Sequence, residues 1–142
     1  MITPLIQKPL SRALITAFVF LTRLPMPALE DISPQDSGRA LPMFPWVGFV
    51  IGIIIASSAW LLSLLLPAQI VAALTLIIWV VCSGGLHIDG LADSADGWLS
   101  GASGEKLLEI MKDPRSGSAA VMIVGLMLIA KFSALSYLVE QR

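Results

Sequence analysis

From Ala40 to Leu86, 47 consecutive residues contain no Asp, Glu, Lys or Arg. A water-facing surface cannot be built from such a run. One membrane crossing takes about 20 apolar residues at about 1.5 Å rise each, so the run has room for two. Composition agrees: the 142 residues are 56% hydrophobic and 13% charged, with a mean hydropathy of +0.85, against about 25% charged in an ordinary soluble domain. A soluble globular domain is excluded, as are disordered and collagen-like chains. The expected class is an all-α, polytopic helical membrane protein embedded in a lipid bilayer. The net charge of −1 offers no electrostatic footprint for nucleic acid. Cys82 is the only cysteine, which rules out an intrachain disulfide and a cysteine-based zinc site. Set after Trp79-Val80-Val81, it reads as inert packing inside an apolar helix.

Residues 12–27 carry a nine-residue apolar stretch, Ala13 to Leu21, too short to span. A signal peptide would be followed by a small-x-small cleavage site; Pro25 and Pro27 come instead. The segment therefore reads as a short interfacial or re-entrant helix. Glu30 to Arg39 reads as a polar connector. About three spans follow, at 44–66, 70–86 and 117–139, the first two joined by the uncharged turn Pro67-Ala68-Gln69. Arg23 and Arg39 precede that pair, and Lys106, Lys112 and Arg115 follow it, so the positive-inside bias puts its open end in the cytoplasm. Residues 87–116 are then a cytoplasmic segment of one membrane domain, holding six of the ten acidic residues. Lys131 interrupts the third span and should snorkel to the outer interface or pair within the bundle.

The chemistry concentrates in GGLHIDGLADSADGW, residues 84–98. Asp89, Asp93 and Asp96 are spaced i, i+4, i+7, an arc of about 60° on one helical face. Carboxylates that close repel one another and call for a cation. At a bilayer centre each would cost about 2.5–3.5 kcal/mol, so the segment belongs at the cytoplasmic edge or in a wet cavity. Hard oxygen donors without a Cys or His cluster favour Mg²⁺ or Mn²⁺ over zinc. The plainer reading is a solvated acidic helix face. Gly84, Gly85, Gly90 and Gly97 argue against it, since a merely solvated helix has no use for such poor helix formers, whereas close approach by a phosphate or a neighbouring helix does. An EF-hand is excluded because Ser100 stands where the twelfth-position Glu is needed. A Walker A loop is excluded because Glu105 precedes Lys106. His87, the sole histidine, is open to a structural or a catalytic role.

Downstream, Ser103-Gly104-Glu105 looks like a helix start, and a short amphipathic helix should end at Asp113-Pro114. Lys112, Arg115 and Ser116 then open the third span. Two cations, small hydroxyls and a helix N-terminus suit a phosphate; the plainer reading is positive-inside anchoring.

At these residues the chain resembles the cobalamin synthases, the adenosylcobinamide-GDP ribazoletransferase family. Four segments match in order: FLTRLPMP at 20–27, FPWVGFVIG at 44–52, GGLHIDGLADSADG at 84–97 and EIMKDPRSGS at 109–118. Ala119-Ala120 departs from the family's glycine-containing continuation, and the family runs on through further membrane helices, so the expectation is an N-terminal portion of such an enzyme. The resemblance implies a Mg²⁺-dependent transferase in the bacterial or archaeal cytoplasmic membrane, with its site facing the cytoplasm. It would join adenosylcobinamide-GDP to α-ribazole, or its 5′-phosphate, and release GMP. Asp89, Asp93 and Asp96 would hold Mg²⁺ on the diphosphate, and one of them or His87 would take the attacking hydroxyl's proton. Lys112, Arg115 and Ser116, with Arg23, would steady the phosphates. Self-association and association with other corrinoid-pathway enzymes are further expectations. Two rivals use the same carboxylates. A CDP-alcohol-type phosphotransferase wants Ala-Arg shortly after the first Asp-Gly, where Asp93 follows Ala92 here. A cation transporter or channel subunit wants its ion site near the midplane on a broken helix.

Overall fold

The computed structural model describes residues 9–29, 31–113 and 115–141. Glu30 and Pro114, read above as a connector start and a helix stop, lie outside the described residues. Among them there are α-helices, one 3₁₀ turn and no strand, as the all-α reading expects.

Helix α1 spans Pro9–Leu21. At 13 residues it is about 20 Å long, too short to cross a bilayer. It stops short of the expected 27 because Thr22 closes it: the Thr22 hydroxyl donates to the Phe18 carbonyl at 2.7 Å and accepts from the Leu24 N–H at 3.2 Å. Pro25 and Pro27 then hold the chain extended.

The expected polar connector contains a helix, α2, Pro34–Ala40. A capping box starts it: the Ser33 side chain accepts from the Asp36 N–H, and the Asp36 carboxylate accepts from the Ser33 N–H, each at 3.2 Å. Arg12 reaches across from α1 to the same carboxylate at 2.9 Å. A 3₁₀ turn, Leu41–Met43, leads directly into α3, Phe44–Ser63, making an unbroken helical run from Pro34 to Ser63. Pro42 and Pro45 are tolerated there because each stands at the first or second position of its element.

Helix α4, Ala68–Ser83, starts after Pro67 and ends at Gly84. Helix α5, Leu86–Leu99, departs from it at 87°. The expected span to residue 86 therefore ends three residues early, at a left-handed glycine pair. Helix α6 is Glu105–Met111, and α7 is Ser118–Glu140. Among the described residues, two helical runs, Pro34–Ser63 and Ser118–Glu140, are long and apolar enough to cross a membrane, or three if the bent α4–α5 pair counts as one. This is a polytopic helical membrane protein.

α7 packs along α4 and α5, α3 along α4 and α1, and α6 against α5. Ala17, Phe18, Ala40, Val47 and Ile51 form the buried cluster where α1, α2 and α3 meet, small residues letting the backbones approach. Trp46, Phe49, Ile53 and Trp60 on α3, and Leu126 and Ile129 on α7, are exposed, as lipid-facing side chains must be. Lys131 pairs within the bundle, its Nζ 3.6 Å above the Trp79 ring.

Candidate active site

The site forms at the α4–α5 bend. Gly84 and Gly85 both have positive φ, +62° and +74°, a conformation that costs other residues dearly. The pair satisfies the end of α4, with the Gly85 N–H donating to the Val80 carbonyl at 3.1 Å. The Gly85 carbonyl then accepts from the Ile88 and Asp89 N–H groups at 2.9 Å each. One residue pair thus ends one helix and starts the next.

The bend also seats Arg23. Its backbone N–H donates to the Cys82 carbonyl at 2.9 Å, and its side chain lies across Gly84. A Cβ on Gly84 would stand 2.7 Å from both Arg23 Cγ and Nε. A cleft of about 660 Å³ opens here, with Arg23, Gly84, Asp89 and Ser116 among its polar lining and Phe20 and Val124 on its apolar wall. Arg23, Asp89 and Ser116, expected on separate grounds, are therefore brought together.

The other expected residues are placed elsewhere. His87 is exposed on α5, two residues and so about 200° around the helix from Asp89. Asp93 is half-buried one turn beyond Asp89 and does not line the cleft. Asp96 is turned to the start of α7, where Oδ2 accepts from the Gly117 N–H at 2.6 Å and Oδ1 from the Ala120 N–H at 2.9 Å. Lys112 lies with Glu105, Glu109 and Asp113 in a separate depression along α6. Arg115 folds back on Asp113 through two side-chain hydrogen bonds of 2.8 and 3.0 Å. Those bonds, with the Arg115 N–H, pull the Asp113 carboxyl down to about 2.

Sequence reasoning missed the apolar wall, because Phe20, Val121 and Val124 look like every other lipid-zone residue. It also missed why Gly97 is glycine: a Cβ there would stand 2.9 Å from Leu107 Cδ1 and Met111 Cγ of α6. A neighbouring helix does approach Gly97, as expected, whereas a Cβ on Gly90 would meet open space.

Residues 13–141 match the cobalamin-5-phosphate synthase family profile, which takes in every element of the cleft. The chain belongs to the cobalamin-5-phosphate synthase family. Proteins named adenosylcobinamide-GDP ribazoletransferase are similar to it. That of Pseudomonas fluorescens (strain SBW25) is 48% identical over 130 residues, 89% of this chain and 52% of the relative. That of Pseudomonas aeruginosa (strain UCBPP-PA14) is 47% identical over 131 residues, 92% and 53%. That of Alkalilimnicola ehrlichii is 46% identical over 133 residues, 91% and 51%. The chain thus spans about half the length of these relatives. No solved structure matches it.

The Mg²⁺ expected from the resemblance can be tested against the donor set. Among the described residues, no three Asp, Glu, His or Cys side chains converge as ligands, so a three-aspartate cage is not assembled. Mg²⁺ does not need one, since it commonly binds one or two carboxylates, several waters and substrate phosphates. Asp89 and Asp93, with Cβ atoms about 5–6 Å apart at i, i+4, fit that pattern beside the cleft.

Proposed function

We propose that the full-length protein carries out a late step of cobalamin biosynthesis in the cytoplasmic membrane. It transfers the adenosylcobinamide phosphate of adenosylcobinamide-GDP to α-ribazole, or its 5′-phosphate, and releases GMP. The observation that carries this reading is the meeting of Arg23, Asp89 and Ser116 in one cleft of a family member. Phosphoryl transfer needs chiefly positioning and neutralised charge, and those residue types supply both.

Asp89 and Asp93 would hold Mg²⁺ against the diphosphate, where its charge neutralises the phosphate oxygens. Arg23 grips a non-bridging oxygen, and the Ser116 hydroxyl donates to another. A ribose hydroxyl of α-ribazole attacks the phosphorus next to the corrinoid's aminopropanol arm. Its oxygen forms the new P–O bond, the P–O bond to GMP breaks, and GMP leaves with the bond's electron pair. The Asp89 carboxylate takes the hydroxyl's proton, being the carboxylate that lines the cleft. The apolar wall suits the corrinoid end of the substrate. The α5–α6 side, flanked by Arg23, Lys106 and Lys112, faces the cytoplasm.

The bend favours one rival, because a carboxylate just after a broken membrane helix is also how ion sites are built. One experiment separates the two. The transferase reading expects Mg²⁺-dependent GMP release from adenosylcobinamide-GDP only when α-ribazole is present, lost in Asp89→Asn and shifted to higher adenosylcobinamide-GDP concentrations in Arg23→Ala. Cation flux into proteoliposomes without GMP release would replace it with the transport reading.

A further inference from the structure

We infer that Asp96 is a positioning residue that fastens α7 to α5 and so sets Ser116 at the cleft, leaving Asp89 and Asp93 as the carboxylates free for a divalent cation. This rests on the transferase reading above. α7 begins with Gly117 at its N-cap, which has no side chain to satisfy the first amides. Asp96 does that from another helix, one oxygen on the Gly117 N–H and the other on the Ala120 N–H. Its negative charge lies at the positive end of the helix dipole. The chain is cut to receive it: a Cβ at residue 117 would stand 2.5 Å from Asp96 Oδ1 and 2.9 Å from Cγ. Ala120 is 1% exposed, so the contact is made where α7 packs most tightly. Ser116, the residue immediately before Gly117, shares the cleft with Asp89. Asp96 lies seven residues after Asp89 on the same helix, so its grip on Gly117 fixes how far Ser116 stands from Asp89.

Among the described residues, neither the Asp89 nor the Asp93 side chain has a hydrogen-bond or ion-pair partner, whereas both Asp96 oxygens do. The three aspartates of one helical face thus divide into two tasks.

The test uses the full-length protein in detergent micelles, with Asp96→Ala, Asp96→Asn, Gly117→Ala and Asp89→Asn. Three quantities are read: amide hydrogen exchange at Gly117 and Ala120, Mn²⁺ binding by electron paramagnetic resonance, and the KM for adenosylcobinamide-GDP. Expected for Asp96→Ala is exchange faster by about tenfold or more, with a smaller effect for Asp96→Asn, which keeps one acceptor. Gly117→Ala should match Asp96→Ala with every carboxylate intact. All three should raise KM while leaving Mn²⁺ half-saturation within about twofold of the parent. Asp89→Asn should weaken Mn²⁺ by about tenfold and leave exchange unchanged. The inference is overturned if Asp96→Asn weakens Mn²⁺ as much as Asp89→Asn does, or if exchange at the Ala120 amide is unmoved in Gly117→Ala. If Asp96→Ala does not fold, Asp96→Asn and Gly117→Ala still decide. Absent GMP release in the parent protein would sink the transferase reading, while exchange and Mn²⁺ binding would still judge Asp96.

Discussion

Replacing each glycine of the bend by alanine separates the backbone's need for glycine from the site's. Both positions have positive φ, +62° at Gly84 and +74° at Gly85, so alanine costs about 1–2 kcal/mol at either. What the new methyl meets differs. At Gly84 it falls 2.7 Å from Arg23 Cγ and Nε, whereas at Gly85 nothing lies within 4 Å. Gly84→Ala therefore destabilises and also drives the Arg23 side chain off its seat; Gly85→Ala only destabilises. A hydrogen bond to a charged group contributes about 1.5–3 kcal/mol, and about 1.4 kcal/mol is a factor of ten. On the transferase proposal, KM of the full-length protein for adenosylcobinamide-GDP should thus rise about 10–100-fold in Gly84→Ala and stay near the parent value in Gly85→Ala. Thermal unfolding in detergent should show both variants lowered alike. Arg23→Ala should reproduce the KM rise with little loss of stability. Equal KM in the two glycine variants, or a parental KM in Gly84→Ala, would refute the idea that Arg23 acts from its seat on Gly84.

Three further outcomes follow from contacts elsewhere. The Asp113 carboxyl, held at about 2 by Arg115, lies below the usual value of about 3.9. Whatever the pair contributes is therefore complete above that usual value and lost as pH falls through about 2. A carboxyl NMR titration should put its midpoint near 2, and a midpoint near 4 would break the pair. Gly97→Ala sets a methyl 2.9 Å from Leu107 and Met111. Overpacking of about 1–3 kcal/mol, against about 0.5–1 kcal/mol gained by removing a helix glycine, leaves a net loss of about 1 kcal/mol. The readout is faster proteolysis of the Gly101–Gly104 link, and an unchanged rate contradicts it. Lys131 above Trp79 gains about 2 kcal/mol from a desolvated ring contact, set against about 2.5–3.5 kcal/mol for its charge mid-membrane. Lys131→Met should raise the unfolding temperature while Trp79→Leu lowers it, and a lowered value for Lys131→Met would show that the charge has another partner.

The run without charge foretold α3 and α4 because hydropathy reports what faces lipid. It placed the end of α4 at Leu86 because hydropathy is blind to backbone handedness, and Gly84-Gly85 are as compatible with an apolar helix as with its end. In the polar connector the capping box was legible: Ser33 followed three residues later by Asp36 is a helix-start pattern, overlooked in a stretch too short and polar to show periodicity. The i, i+4, i+7 aspartates did lie on one helix, since local spacing survives into α5. Their separate surroundings were not legible, because the Gly117 amide that engages Asp96 is 21 residues away in sequence.

The choice of cations shows the same limit in reverse. Lys112 and Arg115 drew attention because they adjoin the last span, yet adjacency gave Arg115 its nearest carboxylate, Asp113, as a partner. Arg23, 61 residues before Gly84 in the numbering, reaches the cleft because its backbone is bonded to the Cys82 carbonyl and its side chain crosses a residue without a Cβ. The cleft is therefore built from three helix ends: the exit of α1, the α4–α5 break and the entry of α7. Helix ends are where backbone groups lack intrahelical partners and where polar side chains, or a bound anion, can meet that need without disturbing the lipid-facing helix bodies. A chain with so little charge can then keep a charged site, provided that the charge sits at those ends. Arg23, Asp89 and Asp96 all do.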